Sequence, residues 1–213
     1  MATLTVYSSL DDGEVRSNSN VYATMQAGTG TLALNSSGAT VMAIGQELFA
    51  GQYYGYQGFL DFDTSTLGAS ASVSSAVLDL YATSRAVAGS SAFDVEVRIY
   101  DWGTTLATGD WVAASTLGNQ TLVCKKAETS MSTQNQYYSF DDIAFAANVN
   151  KTAETRVVVN SSRLRIGNVP TSTEYQRFST ANASGTTQDP KLVVTYTTYT
   201  PQDPLGRMGF FGI

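Results

Sequence analysis

Acidic residues that stand close together are the first candidates for chemistry in this sequence. Three carboxylate pairs occur: Asp11 with Asp12, Asp61 with Asp63, and Asp141 with Asp142. A glycosidase needs only two carboxyl groups, because one donates a proton while the other acts as nucleophile or base. In the segment FLDFD a strand would place Asp61 and Asp63 on one face, where they share a cation or form a solvated surface beside a turn. We favour the solvated surface and expect no enzymatic activity.

Other reactive side chains are scarce. The sequence contains no histidine, so it offers no Ser-His-Asp or Cys-His arrangement and no histidine-based metal site. Its single cysteine, Cys124, lies in the apolar-leaning segment TLVCKKA, which favours a small buried hydrophobe over a reactive thiol. The segment DFDTS lacks the dense oxygen-ligand spacing of a calcium loop. We therefore predict no cofactor; a structural calcium ion is compatible with the sequence but has no support in it.

Composition and charge exclude several classes of partner. The net charge is -6, and the 12 Lys and Arg residues are scattered without a basic stripe, which argues against nucleic acid. No window approaches the ~20 apolar residues of a membrane-spanning helix, so we expect no membrane partner. The first residues, MATLTVYSSLDDGEV, show no signal-peptide pattern. We expect the protein to be made in the cytoplasm.

Aromatic residues near turns form the second kind of candidate site. Aromatic rings stack on sugars through apolar CH groups, and tyrosine is also favoured in protein interfaces. Packing inside the fold is the default interpretation for each ring, and beyond that we favour a protein interface over a glycan platform. The candidates for glycan or partner contact are Tyr53, Tyr54, Tyr56, Tyr137 and Tyr138, with Trp102 and Trp111 nearby in turn-adjacent segments.

These residues need strands to position them, and strand-like alternation recurs along the chain. In the segment 93–100, Val95 and Val97 alternate with Glu96 and Arg98, which predicts an antiparallel strand with one wet face. The run 157–159 is entirely valine, which predicts burial on both faces. We predict an all-β, antiparallel two-sheet β-sandwich of jelly-roll topology over residues 1–196. The predicted strands are 3–7, 21–26, 40–44, 56–62, 76–83, 93–100, 121–125, 136–140, 155–160, 175–179 and 191–196.

Two short helical segments and a C-terminal tail depart from the strand pattern. Asp110 predicts a capped turn within 109–115, while Ile143, Ala146 and Ala147 stand at helical spacing within 141–150; we expect both segments to plug open ends of the sandwich. Residues 197–213 combine glycine and proline with apolar side chains, which predicts an extended anchoring tail. We favour docking on a neighbouring molecule over docking on its own domain. The predicted anchor residues are Leu205, Met208, Phe210, Phe211 and Ile213.

Four motifs carry a resemblance to a known family. DDGEVRSNSN at 11–20 and YQGFLDFDTSTL at 56–67 are joined by AVLDLYATS at 76–84 and by a closing segment, 174–196, that ends in PKLVVTY. Together they resemble the DNRLRE-type β-sandwich family, relatives of carbohydrate-binding modules, in the versions encoded among the structural genes of tailed bacteriophages. Asp61 stands where this family commonly has a basic residue. The family's sugar-binding residues do not map onto this sequence position by position.

The resemblance implies a non-catalytic structural protein of a bacteriophage virion, made in the host cytoplasm. The leading expectation is a minor tail or adhesion protein on the particle exterior, at the tail or baseplate. A capsid decoration or head-fibre protein is the first alternative, and a stand-alone carbohydrate-binding module is the second. The expected partners are other virion proteins, further copies of this chain in a homo-oligomer, and host surface glycans.

Overall fold

The computed structural model describes residues 1–36, 38–88 and 92–198. Strands take up 50% of these residues and helices 16%, and every strand pairing is antiparallel, which confirms the all-β prediction. The predicted anchor residues, Leu205 to Ile213, lie outside the described residues.

The strands of the described residues belong to one curled sheet. Their bounds are β1 Ala2–Tyr7, β2 Gly13–Ser19, β3 Thr31–Asn35, β4 Val41–Phe49, β5 Gln52–Asp63, β6 Ala71–Val87, β7 Asp94–Ile99, β8 Leu122–Ala127, β9 Gln136–Asp141, β10 Glu154–Ser161, β11 Thr173–Ser179 and β12 Lys191–Thr198.

Short helices and 3-10 turns connect the strands. The helices are α1 Tyr22–Ala27, α2 Ala114–Leu117, α3 Ile143–Asn148 and α4 Ser162–Ile166. The 3-10 turns are Ser65–Leu67, Thr108–Asp110 and Glu128–Met131.

The two longest strands explain why the sheet curls. The pairing order is β1-β12-β6-β11-β4-β5-β10-β7-β8; β2 also pairs with β5 and β3, and β9 also pairs with β6. On one edge of β5, the first half pairs with β4 and the second half with β10. On one edge of β6, the first half pairs with β12 and the second half with β11. Because each long strand exchanges neighbours along its length, the sheet folds around an interior instead of staying flat.

The main core fills this interior. Its largest fully buried side chains include those of Phe62, Phe140, Phe145 and Phe178, which come from β5, β9, α3 and β11. The free edges of β8 and β9 also approach each other, so that the curl nearly closes around the core. Cys124 belongs to this cluster and burial raises its pKa, which confirms its interpretation as a buried hydrophobe.

A second core covers the opposite face of β2, β5 and β10. Phe59 and Val158 point into it, while their neighbours along each strand point into the main core. The cover consists of α1, α2, α4 and the connection after β7, which brings in Trp102 and Trp111. The valine run 157–159 is therefore buried on both sides, as predicted.

The strand prediction fails between β1 and β4. The segment 21–26 is not a strand: it forms most of α1, which buries Met25 in the second core and ends at Gly28 in the left-handed conformation. The alternation of apolar residues predicts neither β2 nor β3; the Ser- and Asn-rich β2 has no such alternation. Its polar side chains have internal partners instead; Ser17 donates its hydroxyl to the Met25 carbonyl at 2.7 Å.

The prediction of one wet face on β7 is also wrong. Glu96 and Arg98 are buried, because α4 and the connection after β7 cover this face. Arg165 of α4 donates to Glu96 at 2.7 and 2.8 Å, and Arg98 donates to Glu96 and to the Gln120 carbonyl. The alternation correctly identified the strand, but charged residues on it form a buried ion network.

The two predicted plugs have different positions. Helix α3 packs on β6 and β8 at the main core, yet its buried residues are Phe145 and Ala146, whereas Ile143 is 85% exposed. Asp142 caps this helix by accepting from the Ala144 amide at 2.9 Å. In the other segment Asp110 accepts from the Ala107 amide and caps no α-helix, because α2 begins only at Ala114 and lies over the second core.

A glycine substitution tests the packing of the second core. A Cβ atom at Gly55 would lie 2.5 Å from the Met25 sulfur and 2.8 Å from the Trp111 ring. We expect Gly55→Ala to lower the free energy of unfolding by about 1–3 kcal/mol through overpacking. The matched control is Gly109→Ala, where the added methyl group meets nothing within 4 Å. Chemical denaturation measures both, and equal stability of the two variants would contradict the packing described for α1 and Trp111.

Candidate binding surface

The three predicted carboxylate pairs serve the fold. Asp12 is fully buried and accepts from the Ala181 amide at 2.8 Å, while Asp11 is exposed. Asp61 accepts the Ser9 hydroxyl at 2.5 Å, and burial raises its pKa. Asp63 accepts from the Ser65 amide at 3.0 Å in the following turn. The remaining pair consists of the α3 cap Asp142 and the exposed Asp141.

One cavity of about 180 Å³ holds two other carboxylates, Asp101 and Glu154. Arg156 engages both, at 2.9 Å from Asp101 and 3.4 Å from Glu154. The hydrogen bond from the Gly103 amide, together with Arg156, lowers the pKa of Asp101. A general acid needs a raised pKa so that it holds a proton to donate, and Asp101 has the opposite shift.

The five predicted tyrosines do not form one site. Tyr53 points to the second core and packs edge-to-face on Tyr22 at 5.4 Å. On β9, Tyr137 packs edge-to-face on Tyr81 at 5.3 Å, and Tyr138 donates its hydroxyl to the Thr133 carbonyl at 2.7 Å. Trp102 and Trp111 are buried in the second core, as the default interpretation of packing inside the fold predicts.

Tyr54 and Tyr56 lie on a surface that several strands build together. The strand register aligns Ala33, Arg16, Tyr56, Gly45, Tyr175 and Ala86 in one row across β3, β2, β5, β4, β11 and β6. The next row contains Asn18, Tyr54, Glu47 and Thr173. Residues paired across antiparallel strands share a face, so these rows form one surface. We call it the tyrosine–arginine face and define it by Arg16, Tyr54, Tyr56, Tyr175 and Arg177, with Glu14 and Glu47.

Its aromatic rings and guanidinium groups contact one another. Tyr56 and Tyr175 meet edge-to-face with 5.7 Å between ring centroids. Arg16 lies 5.7 Å from the centroid of the Tyr54 ring, and Arg177 lies 4.8 Å from that of Tyr175. Tyr56 is 8% exposed, while the other four residues named here are half-buried. Two tyrosine–arginine pairs thus flank a nearly buried central tyrosine.

Gly45 makes the contact between Tyr56 and Tyr175 feasible. It stands between them in the row and contributes no side chain. Its φ of +144° lies in a region that L-residues rarely adopt, and an added Cβ would lie 2.1 Å from the Glu174 carbonyl oxygen. Any larger residue at this position would separate the rings and strain β4.

Two buried or half-buried glutamates adjust the electrostatics of the face. Tyr56 donates its hydroxyl to Glu47 at 2.5 Å, and burial, reinforced by this bond, raises the tyrosine pKa. Glu14 accepts from the Ala43 amide at 2.5 Å. Burial raises the pKa of Glu14 to about 7, although this hydrogen bond and the charges of Arg16 and Arg177 pull it down.

An open cavity of about 350 Å³ adjoins the face between β2 and β3. It is lined by Glu14, Arg16, Ala33, Leu34 and Asn35. The cavity extends the surface beyond the tyrosines and places a guanidinium group at its wall. A partner's side chain or a small polar ligand could enter beside the aromatic row.

Sequence reasoning identified Tyr54 and Tyr56 but missed the other members of this face. Arg16 and Glu14 lie on β2, which the alternation of apolar residues does not predict. Tyr175 and Arg177 lie on β11, which is predicted as a strand, but nothing in its sequence indicates that it shares a face with β5. Only the registers of β2, β4 and β11 bring them together. The spacing in YYGY, with two tyrosines two positions apart, was the one local signal of a shared face.

In residues 1–36, 38–88 and 92–198 no group of three or more Asp, Glu and Cys side chains is arranged to hold a metal ion. The helices of this same part of the chain are all too short or too polar to cross a bilayer. Comparison with protein-family models and with curated protein sequences finds no match.

The raised pKa of Glu14 predicts a pH dependence of stability. Its carboxyl group has an ordinary pKa of 4.5 when unfolded and about 7 when folded, so the folded state keeps a proton that the unfolded state loses. This contribution is fully present below pH ~4.5 and is lost as the pH rises to ~7, at a cost of up to about 3 kcal/mol.

The substitution Glu14→Gln keeps the shape of the side chain and removes its titratable proton. We therefore expect this variant to lose less stability than wild type between pH ~4.5 and ~7. Urea unfolding at a series of pH values measures the difference. Asp12→Asn is the comparison variant, because burial also raises the pKa of Asp12 to about 7 at a separate position. Parallel pH profiles for wild type and Glu14→Gln would refute the raised pKa of Glu14.

Proposed function

We propose that this chain is a non-catalytic structural protein on the exterior of a bacteriophage particle, in the tail or baseplate region, and that its tyrosine–arginine face binds another particle protein. The face carries the proposal because it assembles three tyrosines and two arginines from three strands, and none of these tyrosines belongs to either core. The phage assignment rests on the sequence resemblance of the motifs 11–20, 56–67, 76–84 and 174–196.

We also propose that the curled sheet is a jelly-roll sandwich. One layer would contain β1, β12, β6, β9, β11 and β4, and the other β2, β5, β10, β7 and β8. The position of the main core between these two sets of strands supports the assignment. Folds of this kind host many functions, so the fold itself does not choose among binding partners.

The composition of the face favours a protein partner over a stacked sugar. Tyrosine and arginine are among the residues enriched in protein interfaces and in their energetic centres. Arg16 and Arg177 already lie against the rings of Tyr54 and Tyr175, where the ring face of a sugar would otherwise stack. The carboxylates of the predicted pairs hold backbone and hydroxyl groups or face solvent singly, which supports a non-catalytic role.

Purified particles test this function. We expect the chain to be present in a few copies per particle, as fits a tail or baseplate position, and to be lost when Arg16→Ala and Arg177→Ala are combined. The matched control is Tyr81→Ala, which alters an aromatic residue away from the face. Many copies around the capsid would instead support a decoration or head-fibre protein, and absence from particles would contradict a structural role.

A glycan-binding module is the second candidate function, and the half-exposed rings of Tyr54 and Tyr175 favour it. Each ring stands beside an arginine that could donate hydrogen bonds to sugar hydroxyl or carboxylate groups. On a glycan array this function predicts binding that Tyr54→Ala and Tyr175→Ala each reduce at least tenfold, while Tyr81→Ala leaves it unchanged. A wild-type protein that binds no glycan on the array would remove this candidate.

A further inference from the structure

The outer edge of β1 carries features that fit another strand. Within the part of the chain that the structure describes, β1 pairs with β12 alone, in an uninterrupted register from Ala2↔Tyr196 to Tyr7↔Lys191. Its sequence, ATLTVY, contains no charge, no proline and no bulge, the devices by which edge strands usually block further pairing. Among the described residues, no second strand pairs with the backbone donors and acceptors of this edge.

The other edge strands of the sheet are less suited to pairing than β1. The edge strand β8 carries Lys125 and Lys126 and approaches β9. The uncharged β3 lies beside the 3-10 turn Thr108–Asp110. Strand β3 shares the uncharged sequence and the regular register of β1, but the neighbouring turn Thr108–Asp110 limits access to it, so β1 is the favoured edge among the described residues.

The side chains of β1 indicate where an added strand would extend the core. Leu4 and Val6 are half-buried and pack against the main core, whereas Thr3, Thr5 and Tyr7 are exposed on the other face. An added strand with apolar residues beside Leu4 and Val6 would continue the core and complete the burial of both side chains.

We infer that the occupant is a second copy of this chain, paired through β1 in antiparallel orientation about a two-fold axis. The sequence of β1 is self-complementary, because an antiparallel copy presents its own Leu4 and Val6 on the face where Leu4 and Val6 of the first copy lie. A chain of net charge -6 repels its copies over most of its surface, and the uncharged β1 provides a strip without that repulsion. Two-fold symmetry is also the commonest arrangement of homo-oligomers.

The pairing register follows from the alternation of the side chains. A register shifted by one residue would place Leu4 of one copy beside a threonine of the other on the wrong face. Two registers match the faces over five residues of β1 each. We favour the one that pairs Leu4 with Val6 of the second copy and Thr5 with its own symmetry mate, because the other places Val6 beside Ala2. It also brings Tyr7 beside Thr3 of the second copy.

Charge substitution on β1 tests the dimer in the full-length chain. We expect wild type to sediment with the mass of a dimer and Thr5→Lys with the mass of a monomer, because like charges directly opposite on paired strands repel. The control is Ser75→Lys, which adds the same charge on the same outer face two strands further in. Circular dichroism checks that all three proteins are folded.

Cysteine crosslinking tests the register independently of the dimer's strength. Thr5→Cys should form an intermolecular disulfide under native conditions, since residues paired at the axis lie about 5 Å apart. Thr3→Cys should not, because its symmetry mate lies roughly 13 Å away. Cys124 is buried and does not compete. A wild-type protein that sediments as a monomer would overturn the inference. Equal crosslinking of Thr3→Cys and Thr5→Cys would contradict the register, and a Thr5→Lys protein that remains a dimer would contradict pairing through β1.

Discussion

The structure depends on two strands that are each shared between neighbours. On one edge β5 passes from β4 to β10, and on one edge β6 passes from β12 to β11, so the sheet must turn at both strands. The turn creates the interior that holds Phe62, Phe140 and Phe178. A chain with no disulfide can rely on this geometry because burial of apolar surface supplies most of its stability.

The same sharing explains where the candidate surface lies. In its second half β5 is buried on both faces, with Leu60 in the main core and Phe59 in the second core. In its first half, beside β4, one face opens to solvent and presents Tyr54 and Tyr56. Strand β5 therefore connects both cores directly to the tyrosine–arginine face.

The sequence predicted those parts of the fold whose signal is local. Alternating apolar residues identified β6 and β7, and the valine run 157–159 indicated burial on both faces. The sequence could not predict that Glu96 and Arg98 are buried, because the cover over them comes from α4, more than sixty positions away. Nor did it reveal β2, whose Ser17 and Arg16 have partners defined only by the tertiary structure.

The candidate site was still less accessible to sequence reasoning. Its members at positions 16, 45, 56 and 175 are aligned by three strand registers, and a shift of one residue in any of them would turn a side chain to the other face. The tyrosines of β9 resemble those of β5 in composition, yet they belong to a different surface. Residue type alone did not distinguish the two.

Native-state hydrogen exchange is the most direct test of the shared-strand account. If β5 and β10 are the common element of both cores, the amides of Phe59, Leu60, Val157 and Val158 should exchange only through global unfolding. Their opening free energies should then equal the free energy of unfolding measured with denaturant. Exchange of these amides through a partial opening that leaves β6, β11 and β12 protected would show two separable halves and contradict the account.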